Sequence, residues 1–424
     1  YLRTYFFFCR SFFFWIIIAS LSASAQNSSR TIDSLLKILK KGSHSEQFER
    51  YIMLSDEYSN SDLNKAEYYS YKALNKARLV KDDSFIALSY NNIGNIHQYK
   101  SELDSALFFH KKTLRLRQSI KDTIGLADTY NNIGIVYDTK GQYPDALKYY
   151  FKALNFYERK GDISKQAMTT TNIGIVYKAQ KEYNKALYYY KRAYELYLKT
   201  QNEFGKTTSA GNLGSILINF KQYQESLKYS EIARKGFKQL GYNRYEVYPI
   251  SNIACAYDSL HQFEFANKKY AEAIQLFEKY ENSYQVAEIS NAYANCLIKQ
   301  KKFNESILQS KKALVFATKA EANVLKVQSY KNLSSAYAKN RNFELANTYA
   351  NLYSIGKDSL FANEKTKVIL ELETKYQTEK KEKLLLQKEA EAKQKNILLL
   401  GISLLAFFIA LIGFLIYRQQ KLKN

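Results

Sequence analysis

Ala66, Ala106, Ala146, Ala186, Ser226, Ala266, Ser306 and Ala346 follow one another at steps of 40 residues. Three residues before each stands a bulky side chain: Leu63, Leu103, Tyr143, Tyr183, Tyr223, Phe263, Phe303 and Phe343. Twelve residues before each, in all units but the first, stands a second small one: Gly94, Gly134, Gly174, Gly214, Ala254, Ala294 and Ser334. Eight units keep this register without one insertion. A fixed period of this size describes a supersecondary piece that cannot cover its apolar face alone, so neighbours must stack into a solenoid.

Each unit reads as two amphipathic helices. In the second unit, Tyr90 to Lys100 and Leu103 to Gln118 both place apolar residues at three- and four-residue steps, with a short polar turn between them. Only two prolines and fifteen glycines punctuate the chain, and the alternating runs of sheet proteins are missing. Pro144 and Pro249 both fall near predicted helix starts, where a missing N–H costs little. The small columns let helix backbones approach, and the bulky column fills the space beside them. Asn92, Asn132, Asn172, Asn212, Asn252 and Asn332 form a further column. Its recurrence predicts a structural hydrogen bond to the adjacent repeat, worth on the order of 1–3 kcal/mol if a buried partner is lost.

These residues resemble the tetratricopeptide repeat. Its large residue, Asn, aliphatic residue, Gly and aromatic appear as Tyr130, Asn132, Ile133, Gly134 and Tyr137, followed by Ala146, Tyr150 and Ala153. The next unit repeats them as Asn172, Ile173, Gly174, Tyr177, Ala186, Tyr190 and Ala193. In the second unit His97 replaces the aromatic. The usual period is 34, and the first-helix Trp and the terminal Pro are absent here. The resemblance implies an all-α, right-handed superhelical solenoid of about eight repeats over residues 47–356, after a lead-in helix over 26–46. It also implies a concave groove lined by first helices, with Asn91, Asn95, Asn131, Asp138, Lys178, Asp258, Asn291, Asn295 and Lys331 as groove positions for a protein or peptide ligand. The pairs Asn91 with Asn95 and Asn291 with Asn295 sit four apart, suited to a peptide backbone; a hydrated groove edge is the alternative for each residue.

No catalytic constellation, Gly-rich phosphate loop or nucleophile motif occurs, so no enzyme activity, cofactor or metal is expected. The four histidines are His44, His97, His110 and His261. His97 and His110 replace aromatic positions on the facing helices of one repeat, which suits packed, hydrogen-bonded core residues better than a two-His metal site lacking a third ligand. No Asp or Glu stands in an apolar context that would raise its pKa. Of the three cysteines, Cys255 and Cys296 occupy nearly equivalent positions in neighbouring repeats and read as buried free thiols, although a bridge is geometrically conceivable. The net charge of +23 fits nucleic acid, anionic lipid or an acidic partner, but also a Lys-rich composition spread over solvated helix faces. No basic block marks a nucleic-acid arm, and nucleic acid is not expected as a partner.

The two ends differ from the repeats. Arg3 and Arg10, an apolar run from Phe12 to Leu21 and the Ala23-Ser24-Ala25 site predict a signal peptide over 1–25, with an uncleaved anchor as the alternative. Ile397 to Tyr417 holds no charge and would rise about 31 Å as a helix, enough to cross a bilayer, giving one transmembrane helix over 396–417. Residues 357–395 read as a helical stalk of about 58 Å. Its broken stripe of Ile369, Leu372, Tyr376, Leu386 and Ala390 fits either a homodimeric coiled coil or a solvated single helix. With a short cytoplasmic tail over 418–424, this order resembles the periplasmic sensor half of Bacteroidetes repeat receptors, in which a cytoplasmic histidine kinase or DNA-binding domain follows the span. The expected function is a periplasmic, membrane-held binding scaffold that reports across the membrane; the alternative is a tethered scaffold for envelope assembly with no signalling role.

Overall fold

The computed structural model of the chain describes residues 23–59 and 61–360. The expected signal segment before residue 23, the stalk beyond residue 360, the membrane helix and the tail lie outside the described residues. Among the described residues no helix is long and apolar enough to cross a membrane.

The described chain is helical throughout. A lead-in helix, α1, runs Ala23–Ile38. Eight helix pairs follow, and the first helices are α2 (His44–Tyr58), α4 (Asp83–Tyr99), α6 (Thr123–Lys140), α8 (Ile163–Ala179), α10 (Glu203–Asn219), α12 (Val247–Ser259), α14 (Ser283–Lys299) and α16 (Asn323–Lys339). The second helices are α3 (Leu63–Val80), α5 (Leu103–Ser119), α7 (Tyr143–Lys160), α9 (Tyr183–Leu198), α11 (Tyr223–Gln239), α13 (Phe263–Lys279) and α15 (Phe303–Lys319), with the eighth beginning at residue 343 and helical to residue 360. Each of the first seven second helices packs on its own first helix and on the first helix of the next unit. This repeat body extends to Tyr353; of a second compact unit beginning at Ser354, only residues 354–360 are described, and they are helical.

The constant period has a local cause. First helices begin at a polar cap: Asp82, Asp122, Asp162, Asn202 and Asn282 each accept a hydrogen bond from a backbone N–H two or three residues on. The turn between the helices of a unit is closed by one left-handed residue, Ser101, Gly141, Lys181, Lys221, His261, Lys301 and Arg341, with φ of 58–78°. The next N–H then reaches five residues back, as in Glu102 to His97 (2.8 Å) and Gln142 to Tyr137 (2.9 Å). Six of these seven residues carry a side chain, at a cost of roughly 1–2 kcal/mol each against right-handed backbone. A glycine signal is therefore absent where the turns are most regular.

The predicted columns are the core. Ala66, Ala106, Ala146, Ala186, Ser226, Ala266 and Ser306 are fully buried. The first-helix small column faces the second helix sixteen residues later. At Gly134 a Cβ would stand 2.6 Å from the Tyr150 ring, and at Gly94 it would stand 2.7 Å from the His110 ring. His110 thus fills the slot that Tyr150, Tyr190 and Tyr270 fill elsewhere. Serines in these columns tie helices together: Ser226 Oγ donates to the Gly214 carbonyl (2.6 Å) and Ser306 Oγ to that of Ala294 (2.9 Å).

Unit six departs from its neighbours. Tyr242 replaces the capping residue, and Asn243 to Glu246 form turns before α12 starts at Val247. A helix begun at residue 243 would drive the Pro249 ring into the carbonyl of Tyr245. Starting at Val247 puts Pro249 third in the helix, where its missing N–H would have had no intrahelical partner. The result is a first helix of 13 residues instead of the 17 of α10 and α14.

Candidate functional site

The asparagine column forms the expected inter-repeat hydrogen bonds in four units. Asn92 Nδ2 donates to Asp56 Oδ1 (2.7 Å), and Asn132 Nδ2 donates to Asn91 Oδ1 (3.1 Å) and Asn95 Oδ1 (3.3 Å). Asn172 Nδ2 donates to Asn131 Oδ1 (3.3 Å), and Asn332 Nδ2 to Asn291 Oδ1 (3.1 Å). In three of these units the acceptor is an asparagine 41 residues earlier. At Asn212 and Asn252 the expectation fails. Thr171 stands 41 residues before Asn212, with its hydroxyl held by the Ala167 carbonyl (2.9 Å), and Gly211 stands 41 residues before Asn252. The Nδ2 of Asn212 is buried without a partner.

A second polar ladder is interrupted over an overlapping stretch. At the ends of first helices, Lys100 reaches Asn64 (2.8 Å) and Glu67, Lys140 reaches Asp104, Gln300 reaches Asn267 (2.9 Å) and Asn340 reaches Asn304 (2.9 Å). Gln180 of unit four makes no such bond, and units five and six carry Phe220 and Leu260 at that position.

Where both ladders stop, a pocket of about 200 Å³ opens across the first helices of units four to seven. Its polar lining includes Lys178 and Ser215, Asn212 and Asn252, and Glu288; Ile218, Phe237, Tyr248 and Ile289 are among its apolar residues. Lys178 Nζ donates to Ser215 Oγ (2.8 Å). Glu288 has no cation within ion-pair distance, and burial pushes its carboxyl up to about 7 against the opposing pull of Lys178. Asp56 is also raised by burial, with the Asn92 amide pulling the other way. The expectation that no carboxylate stands in an apolar setting is therefore wrong at both. A charged residue in a variable column reads as solvated until the neighbouring units are placed around it.

Of the groove positions proposed from sequence, Lys178 alone lines this pocket. Asn91 and Asn95 are half-exposed or less and are the acceptors for Asn132. Asn131 and Asn291 are buried between repeats, where each accepts from the following unit. Asp138 is buried; Asp258 is buried and paired with Lys299 (2.8 Å). Asn295 and Lys331 are exposed. Sequence reasoning missed Glu288, Asn212 and Asn252 as site residues, although Gly211 and Thr171 in place of the usual asparagine were visible.

The two histidines of unit two take separate roles. His97 stacks on Phe109 (ring centroids 5.3 Å apart) with Nδ1 bound to Glu102 Oε2 (2.6 Å). His110 is fully buried, and neither ring nitrogen has a partner. Burial, assisted by Arg117, lowers it to about 3, so it is a neutral packing residue at pH 7. Cys255 and Cys296 are free thiols, pushed up to about 11 and about 12 by burial. Among the described residues no three His, Cys, Asp or Glu side chains are placed to hold a metal ion.

Residues 85–159 and 125–199 match the tetratricopeptide repeat family model. No curated protein matches the chain. Among solved structures, it is similar to a signal-transduction ATPase with numerous domains that has a tetratricopeptide repeat sensor, from Pyrococcus horikoshii: 19% identity, 70% of this chain and 45% of that one, TM-score 0.58. It is similar to the apo quorum sensor NprR from B. thuringiensis, at 17% identity over 78% of this chain and 99% of that one, TM-score 0.53. It also resembles a Rap protein complexed with Competence and Sporulation Factor, at 12% identity over 80% and 99%, TM-score 0.51. Likeness at this level of identity is a likeness of fold. The chain thus has a tetratricopeptide-like helical repeat fold, and the family pattern itself is matched over residues 85–199.

Proposed function

We propose that this scaffold acts by binding, not catalysis, and that an extended peptide segment of a partner lies along the first helices of units four to seven. The observation that carries this reading is the interruption of the asparagine ladder at Asn212 and Asn252, beside the pocket they line. Elsewhere the same residue type is spent on holding repeats together; here neither amide makes such a bond. An extended backbone offers alternating N–H and C=O groups, which an amide side chain can both accept from and donate to. The size of the pocket favours the same answer. About 200 Å³ is below the roughly 300–1,000 Å³ of sites that enclose a whole small ligand, but it accommodates a side chain. Fold neighbours described as a quorum sensor and as a Rap protein in complex with a factor lend support to a sensing scaffold.

In this reading the repeats are the periplasmic, ligand-taking part of a membrane receptor, joined through the stalk to one membrane helix, with a stalk-mediated homodimer as the unit that changes state. Two measurements test it. In fluorescence anisotropy with a positional-scanning set of hexapeptides, the full chain binds a subset, and the double variant Asn212→Ala, Asn252→Ala loses at least tenfold in affinity. Equal binding by that variant, or no binding by the native chain, would sink the peptide reading. Fractionation of native cells with an antibody to the repeats tests the receptor half: the protein stays with membranes, and recovery in the soluble fraction removes it.

A further inference from the structure

Unlike Asp56, the other carboxyl raised by burial, Glu288 receives neither a cation nor a side-chain amide. Three carboxylates on first helices or at their starts have a cation: Asp128 pairs with Lys165 (2.7 Å), Asp258 with Lys299 (2.8 Å) and Glu246 with Arg234 (3.3 Å). Glu288 has none. It projects from α14 at a pocket whose other residues include Ile175, Ile218, Phe237, Tyr248, Ile289 and Ala292. Leaving a carboxylate unpaired in such a wall is costly, and a bound cation would remove that cost.

We propose that Glu288 sets the specificity of the groove by receiving a cationic group, a lysine or arginine side chain or a free amino terminus, on a peptide whose neighbouring apolar residue fills the pocket. The inference rests on the peptide-binding reading above and names the chemistry of its ligand. Lys178, across the pocket, is not a rival anchor for an acidic ligand of equal weight. It already donates to Ser215, and its long stem lets the ammonium turn to solvent. The side chain of Glu288 is shorter and reaches less far from the pocket wall.

The charged and titratable groups near Glu288 leave this assignment in place. Lys178 on α8 acts from a distance and favours the ionised carboxylate. Arg244, ahead of α12, acts on Tyr248, and Asp258 and Lys299, which act on Cys255, are paired with each other. Tyr248 and Cys255 are held up to about 12 and about 11, so both stay neutral when Glu288 ionises. A cationic guest binds the ionised carboxylate, so its arrival expels a proton. Affinity for a lysine or arginine side chain therefore rises with pH as Glu288, raised to about 7, loses its proton, by about tenfold between pH 6 and pH 8; for a free amino terminus, which itself deprotonates near pH 8, the rise is smaller.

The experiment uses the full chain and hexapeptides in two sets, with acetylated or free amino termini, against native protein and Glu288→Gln. The native chain selects a basic residue, or in the free set an amino terminus, next to an aliphatic or aromatic one. Glu288→Gln keeps the apolar preference, loses the cationic one by on the order of tenfold, and shows a flat pH profile. The two sets separate a side-chain cation from a terminal one. Retention of the basic preference in Glu288→Gln, or selection of acidic residues by the native chain, overturns the inference and leaves peptide binding standing. Absence of any peptide binding overturns both. Glutamine matches the shape of glutamate, and an unchanged melting temperature confirms that the variant is folded.

Discussion

Units two to four and units five to six are built on one sequence pattern, yet they use it differently. In the earlier stretch Asn132 and Asn172 are fastened to the preceding unit, and Lys100 and Lys140 add a second tie at the helix ends. In the later stretch Asn212 lacks a partner, Phe220 and Leu260 stand where the second ties would be, and Pro249 shortens the helix beside them. The same side chain is mortar in one place and makes no inter-repeat bond in the other. What decides its role is the residue 41 positions earlier, not the residue itself.

That contrast can be broken or sharpened by substitution. The largest effect is expected from Gly134→Val in the fastened stretch. Even a bare Cβ there would meet the Tyr150 ring at 2.6 Å. Overpacking of this kind costs about 3 kcal/mol, read as a shift of the denaturant midpoint; a midpoint within error of the native value would refute the packing account. Next come two matched changes, Asn172→Ala and Asn212→Ala. The first breaks a buried inter-repeat bond and loses about 1–3 kcal/mol. The second removes an amide whose Nδ2 is already unpartnered and loses no more than about 0.5 kcal/mol. Equal losses would mean that the two stretches do not differ. The smallest effect is a gain. Gly211→Asn supplies the missing partner for Asn252 and replaces a mid-helix glycine whose added Cβ meets only Ala233, at 3.5 Å. Stability rises by about 0.5–1 kcal/mol and peptide binding falls, since the ladder closes over the pocket; a loss of stability would show that the later stretch is not waiting for that residue.

Much of this fold is legible in the sequence because the columns repeat. Ala106 or Tyr150 alone says little, but its recurrence every 40 residues states that the position is internal. The site is legible only in part, for the same reason. Asn131 and Asn291 look like groove residues by their place in the unit, yet both accept bonds from the next unit, because that helix face also meets the neighbour. Glu288 shares its column with Leu88, Asp128, Met168, Thr208, Tyr248 and Gln328, so the column carries no rule about burial. Its setting arises from residues three units away in the chain, Lys178 among them, which period-counting does not bring together. Pro249 was visible, but as a tolerated proline; its effect on the length of α12 depends on where the uncapped helix can begin.

The ladders have one more consequence, for how such a chain is made. The side-chain bonds that join units span 41 residues at most in Asn172 to Asn131, Lys299 to Asp258 and Asn332 to Asn291. As each unit leaves the ribosome it meets everything it must hold on the unit just before it, and nothing waits for a distant segment. Folding of this kind advances like a zip from the first unit, with low contact order and few long-lived exposed faces. The asparagine teeth mesh through unit four and do not mesh at Asn212 and Asn252.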